Sequence, residues 1–256
     1  MPLPGIVMLT ILTFLLALAA DPQQRAPEGL TEQRRQEAAK HFRKGDEAFH
    51  SEQFEEAERE FRKAIGLDPL MTLAHYRLGQ TFMARRLFPD AVQAFIGCRN
   101  AFQEIARIGL RDAGELDRRR TEEINALRDS IATLQRNDQL AAQNQNNIRR
   151  MEDRVRELER VRQSGGENAG VPAEVTFSLG TAYLRSGSLE DAERAYLEAL
   201  KTNPDLGEAH SNLAVVYLKT NRIEQAWQQV VAAEKSGLSV HPGLKKDIES
   251  RRPAPR

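Results

Sequence analysis

The side chains best suited to chemistry in this sequence are three histidines and one cysteine. His41 and His75 are 34 residues apart, and His210 takes the same place in a later copy of an internal repeat. Neighbouring helices of a repeat pack about 10 Å apart, whereas a zinc–imidazole bond is only about 2.1 Å long. The histidines are therefore predicted to pack within the fold, and no metal or other cofactor is expected.

Cys98 stands where the other copies of the repeat carry a packing alanine. A thiol buried in apolar surroundings has a raised pKa and is a poor nucleophile, so Cys98 is predicted to be inert. A single cysteine also excludes an intramolecular disulfide and a cysteine-based zinc site. The sequence lacks the motifs GxxxxGK[ST], GxGxxG, GxSxG and HExxH, which signal phosphate loops, dinucleotide sites, hydrolases and metalloproteases. We therefore expect no enzyme activity.

The amino-acid composition argues against nucleic acid as a partner. The 256 residues include 37 Lys plus Arg and 37 Asp plus Glu, so the formal net charge is zero, whereas nucleic-acid-binding domains usually carry a basic excess. Charged residues make up 29% and aromatic residues 6% of the chain, which favours exposed helices over strands. We expect an all-α protein with no nucleic-acid partner.

A 34-residue internal repeat positions these side chains. It occurs four times, over residues 38–71, 72–105, 173–206 and 207–240. Each copy has a small residue at positions 8 and 20, and the first three have an aromatic ring at position 24. These residues are Gly45, Ala57 and Phe61, then Gly79, Ala91 and Phe95, then Gly180, Ala192 and Tyr196, and finally Ala214 and Ala226.

This pattern resembles the tetratricopeptide repeat (TPR) family. The resemblance implies an all-α solenoid in which each repeat forms a hairpin of a helix A and a helix B. Small residues let the two helices approach each other, and aromatic rings fill the space between consecutive helices. Residues 31–105 would hold an N-terminal helix extension and repeats 1 and 2, and residues 173–240 would hold repeats 3 and 4. A short cap helix and a disordered tail are predicted over residues 241–256.

Residues 106–172 are an insertion that the repeat pattern does not supply. Two runs have the heptad-like spacing of coiled coils, and the phase slips at the polar residues 137–147. The runs are Ile124, Leu127, Ile131 and Leu134, and Ile148, Met151, Val155 and Leu158. Two interpretations fit: a helical hairpin that turns near residue 140 and leads into a Gly-rich linker, or one long helix that forms a homo-oligomer through residues 115–162. The hairpin is favoured because a continuous helix of about 110 Å would separate the repeats into two pairs.

The N-terminal residues predict export. Residues 6–20 form an almost unbroken apolar run, too short to span a bilayer comfortably but of the length of a signal-peptide core. Ala17 and Ala19 fit a cleavage site after Ala19. The expected organisation is a signal peptide over residues 1–19 and a linker over 20–30, in a periplasmic or secreted protein. If the segment is not cleaved, it would tether the protein to a membrane.

The resemblance also implies a function, because TPR domains bind peptides in a groove lined by helix A. The groove positions are held by aromatic, apolar and mostly uncharged polar side chains. They are Phe42, Asp46 and Phe49, then Tyr76, Gln80 and Met83, then Phe177, Thr181 and Leu184, and finally Ser211 and Val215. The two-carboxylate clamp of chaperone-binding TPR domains needs Lys and Asn where this chain has Phe42 and Asp46, so that mode of binding is not predicted.

The predicted function is a non-catalytic scaffold that binds an apolar or mildly basic peptide of a partner protein. The alternative is a structural protein that self-assembles through its insertion. The aromatic residues Phe42, Tyr76 and Phe177 share position 5 of their repeats. They are either binding anchors on the inner surface or side chains that fill the gaps between adjacent A helices.

Overall fold

A computed structural model describes residues 32–109, 111–136, 138–164 and 170–252. The predicted signal peptide, most of the Gly-rich linker and the end of the predicted tail lie outside these residues. The described residues form twelve α-helices and no strand. They are α1 (Glu32–His50), α2 (Phe54–Leu67), α3 (Thr72–Ala84), α4 (Phe88–Gly109), α5 (Ala113–Gln135), α6 (Asp138–Gln143), α7 (Gln145–Ser164), α8 (Ala173–Ser186), α9 (Leu189–Thr202), α10 (Gly207–Lys219), α11 (Ile223–Lys235) and α12 (Pro242–Arg251).

Eight of the described helices form the four predicted repeats. Helices A and B pair as α1 with α2, α3 with α4, α8 with α9, and α10 with α11. The pairs stack in order, because α2 contacts α3, α4 contacts α8 and α9 contacts α10. The short helix α12 packs on α11 at the C-terminal end, where Ile248 is fully buried. The prediction of an all-α repeat solenoid with a C-terminal cap helix is confirmed.

The close pairing of helices A and B follows from the glycine at position 8. A Cβ atom on Gly79 would lie 2.6 Å from the ring of Phe95, and one on Gly180 would lie 2.8 Å from the ring of Tyr196. No side chain larger than hydrogen fits without moving these rings. The fourth repeat has Ala214 at this position and the smaller Val230 opposite, both fully buried. The two positions therefore compensate in volume, as close packing of a protein interior requires.

The turn between helices A and B has a left-handed residue at the same position of every repeat. Glu52, Arg86 and Asn221 have φ values of 58°, 60° and 59°, and Gly187 has a φ of 87°. Only glycine adopts this conformation without strain, and asparagine tolerates it better than most other residues. The repeat geometry therefore imposes an unfavourable backbone conformation on Glu52 and Arg86.

The insertion forms a helical hairpin, as favoured from the sequence. Arg154 of α7 contacts Glu123 of α5 at 3.0 Å, and further along α7 Arg162 contacts Asp117 at 3.6 Å. Because the partner's number falls as the residue number rises, the two helices are antiparallel. A small apolar core lies between them. It contains Ile124, Leu127, Val155 and Leu158, with Met151 at its edge. Five of the eight apolar residues in the two heptad-like runs thus pack against each other within the chain.

Because the insertion turns back, the third repeat can stack directly on the second. Val175 of α8 packs against Cys98 and Phe102 of α4. On the neighbouring A helices, the hydroxyl groups of Tyr76 and Ser178 lie 3.2 Å apart, within hydrogen-bond distance. Within the described part of the chain, none of the helices combines the length and the apolar composition that crossing a bilayer requires.

The histidines at position 4 of the repeats have structural partners. The Nε2 atoms of His75 and His210 lie 3.0 Å from the carbonyl oxygens of Pro69 and Pro204, which precede the helices that carry them. The Nδ1 atom of His41 lies 2.6 Å from a carboxylate oxygen of Glu60. His75 and His210 therefore fix their helices to the end of the preceding repeat, and His41 fixes α1 to α2.

His75 gives a prediction about pH. Burial lowers the pKa of its imidazole below the ordinary 6.5. As the pH falls from 7 to 5, the unfolded chain takes up a proton at this residue more readily than the folded chain does, so acidification lowers the free energy of unfolding. We expect His75→Gln, which cannot titrate, to lose less stability over this range. Urea unfolding of both proteins at pH 7 and pH 5 tests this, and an equal loss in the two would contradict it.

Candidate functional site

The four A helices lie side by side and form one continuous face. Helix α1 contacts α3, α3 is joined to α8 through Tyr76 and Ser178, and α8 contacts α10. We call this surface the A-helix face, with an N-terminal half on α1 and α3 and a C-terminal half on α8 and α10. The eleven groove residues predicted from the sequence all lie on these four helices, so the fold brings them to one surface.

The insertion covers the N-terminal half of the A-helix face. Helix α5 packs on both α1 and α3. Ala126 of α5 joins the apolar cluster that contains Phe42, and Leu73 of α3 packs against the core of the hairpin. Arg150 of α7 also pairs with Glu208 at the start of α10, in the C-terminal half. The chain therefore occupies half of its own predicted groove.

Two of the predicted groove residues are core residues in this arrangement. Phe42 is 1% exposed and its ring centroid lies 5.8 Å from that of Phe61. Asp46 is 3% exposed. The expectation that these two side chains line an open groove is therefore corrected, because α2 packs beneath them and α5 lies over them. Phe49 and Met83 are half-buried and pack against the same apolar cluster.

A charged cluster lies beneath the hairpin at the centre of the N-terminal half. The Nε atom of Arg77 lies 2.8 Å from a carboxylate oxygen of Asp46, and another guanidinium nitrogen donates to Gln80 at 2.9 Å. The guanidinium group of Arg77 also lies 5.6 Å from the centroid of the Phe49 ring. Burial lowers the pKa of the neighbouring His50, and the positive charge of Arg77 acts in the same direction. The cluster joins α1 to α3 with its charges paired.

Arg77 was not among the residues selected from the sequence. The sequence does contain a signal for it, because Arg77 interrupts the apolar run of α3 between Tyr76 and Leu78. A charge on the buried side of an amphipathic helix requires a partner of opposite charge. Asp46, at position 9 of the preceding repeat, is the acidic residue that pairs with Arg77.

Ion pairs hold α5 on α1 and on the turn between α2 and α3. Arg35 contacts Glu115 at 3.0 Å and Glu122 at 3.3 Å, and Arg119 pairs with Asp68. Burial raises the pKa of Glu122. At Glu115 burial acts in the same direction, but the hydrogen bond and charge of Arg35 outweigh it and lower the pKa. Between α1 and α5 a cavity of about 220 Å³ remains, so the helices meet through charged side chains more than through close apolar packing.

Tyr76 lies at the junction between the second and third repeats. Its ring centroid is 5.6 Å from that of Phe95, its hydroxyl group reaches Ser178, and burial raises its pKa. Of the two roles considered for the position-5 aromatics, these contacts favour packing between adjacent repeats for Tyr76. Gln80, four residues later on α3, is engaged by Arg77.

The C-terminal half of the A-helix face carries half-buried side chains of mixed character. Its apolar members are Phe177, Leu184 and Val215, and its polar members are Thr181 and Ser211. The hydroxyl of Thr181 accepts a hydrogen bond from the Tyr196 hydroxyl at 3.3 Å. Half-buried side chains leave part of the apolar surface and the Ser211 hydroxyl accessible. Helix α5 does not contact α8 or α10 to the extent that it contacts α1 and α3.

The surroundings of Cys98 favour the neutral form of its thiol. Burial raises the pKa of the Cys98 thiol well above its ordinary value, and this thiol donates to the carbonyl oxygen of Thr72 at 3.3 Å. A buried neutral thiol is a poor nucleophile. Across residues 32–109, 111–136, 138–164 and 170–252, no group of three or more His, Cys, Asp or Glu side chains is arranged to hold a metal ion.

Comparison with known proteins gives one family match. The sequence model described as "Tetratricopeptide repeat" matches residues 42–96 and 177–237. These two segments cover most of the first and second repeat pairs and leave out the insertion. Comparison with curated proteins gave no significant match.

Three solved structures that resemble this chain have low sequence identity to it. A thermophilic TPR protein of Thermus thermophilus, TTC0263, is 17% identical, with 84% of this chain and 98% of that chain covered and a TM-score of 0.33. YrrB, titled a TPR protein with an unusual peptide-binding site, is 16% identical, with 84% and 91% covered and a TM-score of 0.28. The TPR2AB-domain:pHSP90 complex of yeast Sti1 is 14% identical, with 84% and 97% covered and a TM-score of 0.27. No binding site can be transferred to this chain at these scores.

Proposed function

Because this chain belongs to the tetratricopeptide repeat family, whose members generally mediate protein–protein interactions, we propose that it binds a segment of a partner protein on the C-terminal half of the A-helix face. One observation carries this proposal. The N-terminal half is covered by α5, whereas α8 and α10 present half-buried apolar and polar side chains side by side. Members of this family are typically interaction scaffolds without enzymatic activity, which agrees with the buried, neutral Cys98.

The side chains of this surface indicate which kind of peptide segment it can bind. Phe177, Leu184 and Val215 provide apolar contact, and Ser211 provides a hydroxyl group for a hydrogen bond to a peptide. The hydroxyl of Thr181 is engaged within the chain, because it donates to the carbonyl oxygen of Phe177 at 3.0 Å. Apolar surface with a few fixed polar groups is the usual composition of a peptide groove. Since Glu174 and Glu208 at its edge are acidic, the segment bound is apolar or mildly basic.

The experiment uses peptides selected against the full chain from a random-peptide display library. We expect Val215→Arg on α10 to weaken binding of the selected peptides about tenfold or more, since a charge then replaces part of the apolar surface. The matched control is Val231→Arg on α11, because Val231 is 47% exposed and lies outside the A-helix face. Thermal unfolding confirms that both variants are folded. Peptides that bind all three proteins equally would contradict the proposal.

We further propose that the protein is exported, on the basis of its N-terminal sequence. Residues 6–20 have the apolar character, and Ala17 and Ala19 the small side chains, of a cleaved signal peptide. N-terminal sequencing of the protein from its native host should find a chain that begins near Ala20. An intact N-terminus on membrane-bound protein would identify a tether instead, and an intact N-terminus on soluble cytosolic protein would overturn the proposal.

A further inference from the structure

Helix α5 carries a stripe of acidic residues that matches the basic residues of α1. Glu115, Glu122 and Asp129 are spaced seven residues apart, so they lie on one face of the helix. Glu115 and Glu122 both contact Arg35, at 3.0 and 3.3 Å, and Asp129 contacts Arg43 at 3.5 Å. Arg35 and Arg43 are about two turns apart on α1. Residues further along α1 contact residues further along α5, so the two helices are parallel.

The apolar contact between α5 and the A-helix face is limited. Ala126, between Glu122 and Asp129, is the residue of α5 that joins the cluster around Phe42. The cavity of about 220 Å³ lies beside it and extends to Leu73 and Phe102. The pair of Arg43 and Asp129 is about half exposed and therefore contributes little. The pairs of Arg35 with Glu115 and of Arg119 with Asp68 are buried. Because a buried charge that loses its partner is strongly destabilising, the docking of α5 depends on the acidic residues that pair with Arg35.

The hairpin has its own internal contacts, which do not depend on docking. Its apolar core of Ile124, Leu127, Val155 and Leu158 lies between α5 and α7, and Arg154 pairs with Glu123 across the same interface. The hairpin can therefore leave the A-helix face as a unit that keeps this core between α5 and α7, and only the side of the core that packs on Leu73 becomes exposed. Leaving would uncover Arg35, Arg43 and the apolar surface around Leu73.

We propose that the surface of α1 and α3 beneath α5 is a second binding site, which accepts an amphipathic helix of a partner protein in place of α5. The partner helix carries acidic side chains at seven-residue intervals and a small residue between two of them. Arg35 receives the first two carboxylates, Arg43 receives the third, and the small residue lies over Phe42. Helix α5 is the internal competitor for this site, so binding requires the hairpin to move aside.

The site is separate from the proposed peptide groove on α8 and α10. It uses different helices, and it selects an acidic helix, whereas the C-terminal half of the A-helix face selects an apolar or mildly basic segment. A failure of either proposal therefore leaves the other intact.

The test uses a labelled synthetic helix and the full chain. The probe has the sequence of residues 112–136 with Ile124 and Leu127 replaced by Gln, so that it cannot take the place of α5 against α7. The protein is compared with the variant Glu115→Gln/Glu122→Gln/Asp129→Asn, in which the internal competitor has lost its acidic stripe. We expect the variant to bind the probe at least tenfold more tightly than the unaltered chain. Equal binding by the two proteins would overturn the proposal.

Two controls identify the surface that the probe occupies. A probe with the same three acidic residues neutralised should not bind, and adding Arg35→Ala and Arg43→Ala to the variant should abolish the gain. Val215→Arg on α10 should leave probe binding unchanged. Binding that survives the loss of both arginines, or that Val215→Arg removes, would place the probe elsewhere and overturn the proposal.

Hydrogen exchange tests, without a probe, whether the acidic stripe holds α5 on the A-helix face. In the triple variant, the backbone amides of α5 should exchange faster than in the unaltered chain, while those of α8–α11 stay equally protected, which also verifies that the repeats are folded. If α5 is as well protected in the variant as in the unaltered chain, the acidic stripe does not hold it in place and the proposal fails.

Discussion

Phe42→Ala is expected to lower the free energy of unfolding by about 3–5 kcal/mol, the usual cost of removing a fully buried phenylalanine ring. The ring is 1% exposed and packs against Phe61 in the cluster that also includes Ala126 of α5. Its removal leaves a cavity between α1, α2 and the hairpin that the surrounding helices cannot fill. Urea denaturation followed by circular dichroism measures the loss directly.

Phe177→Ala provides the matched control, because Phe177 occupies the same position of the third repeat. Its ring is half-buried and packs against Tyr196, with centroids 5.9 Å apart. We expect this variant to lose less stability than Phe42→Ala and to bind peptides of the C-terminal half more weakly. If Phe42→Ala instead cost less than about 1 kcal/mol, Phe42 would be an accessible anchor, and the position of α5 over it would be wrong.

The repeats could be predicted from the sequence because their packing is local and periodic. Gly79 and Phe95 are in contact within one repeat, and the same pair recurs as Gly180 and Tyr196 in the third repeat. When the same contact recurs in each repeat, the two residue types that form it recur at a fixed interval along the sequence. The hairpin was favoured for a similar reason, since two heptad runs with a phase slip between them predict two helices that turn back on each other.

The position of the hairpin on the A-helix face could not be predicted in the same way. It depends on contacts such as Arg35 with Glu115, which are 80 residues apart in the chain and have no counterpart in the other repeats. Single charged residues are abundant on helix surfaces, so nothing in the sequence marks these two as partners. The groove prediction consequently could not identify Phe42 and Asp46 as covered.

The geometry of the turns between helices A and B could not be predicted from the sequence either. The left-handed residue between helices A and B is Gly187 in the third repeat and Asn221 in the fourth, which are typical of such turns. In the first two repeats it is Glu52 and Arg86, which give no such signal. The stacked repeats determine the backbone there, and the local preference of the residue is overridden.

Arg77→Met is expected to cost about 3–5 kcal/mol of folding stability, because breaking a buried ion pair on one side leaves the other charge without a partner. The side chains of Arg77 and Asp46 are only 7% and 4% exposed, and their charged atoms are 2.8 Å apart. Methionine keeps much of the apolar stem of arginine, so the loss reports mainly the unpaired carboxylate of Asp46. Chemical denaturation of the variant beside the unaltered chain gives the value.

A double-mutant cycle separates the charge from the packing. Removing both partners in Asp46→Ala/Arg77→Met eliminates the unpaired charge, so the double variant should lose clearly less stability than the sum of the two single variants. The pair of Arg43 and Asp129 is the control, since its side chains are 49% and 52% exposed, and Arg43→Met should cost less than about 1 kcal/mol. Additive losses at Asp46 and Arg77 would mean that the two charges do not stabilise each other. The junction of α1 and α3 would then depend on the apolar contacts of Phe42 and Phe49 alone.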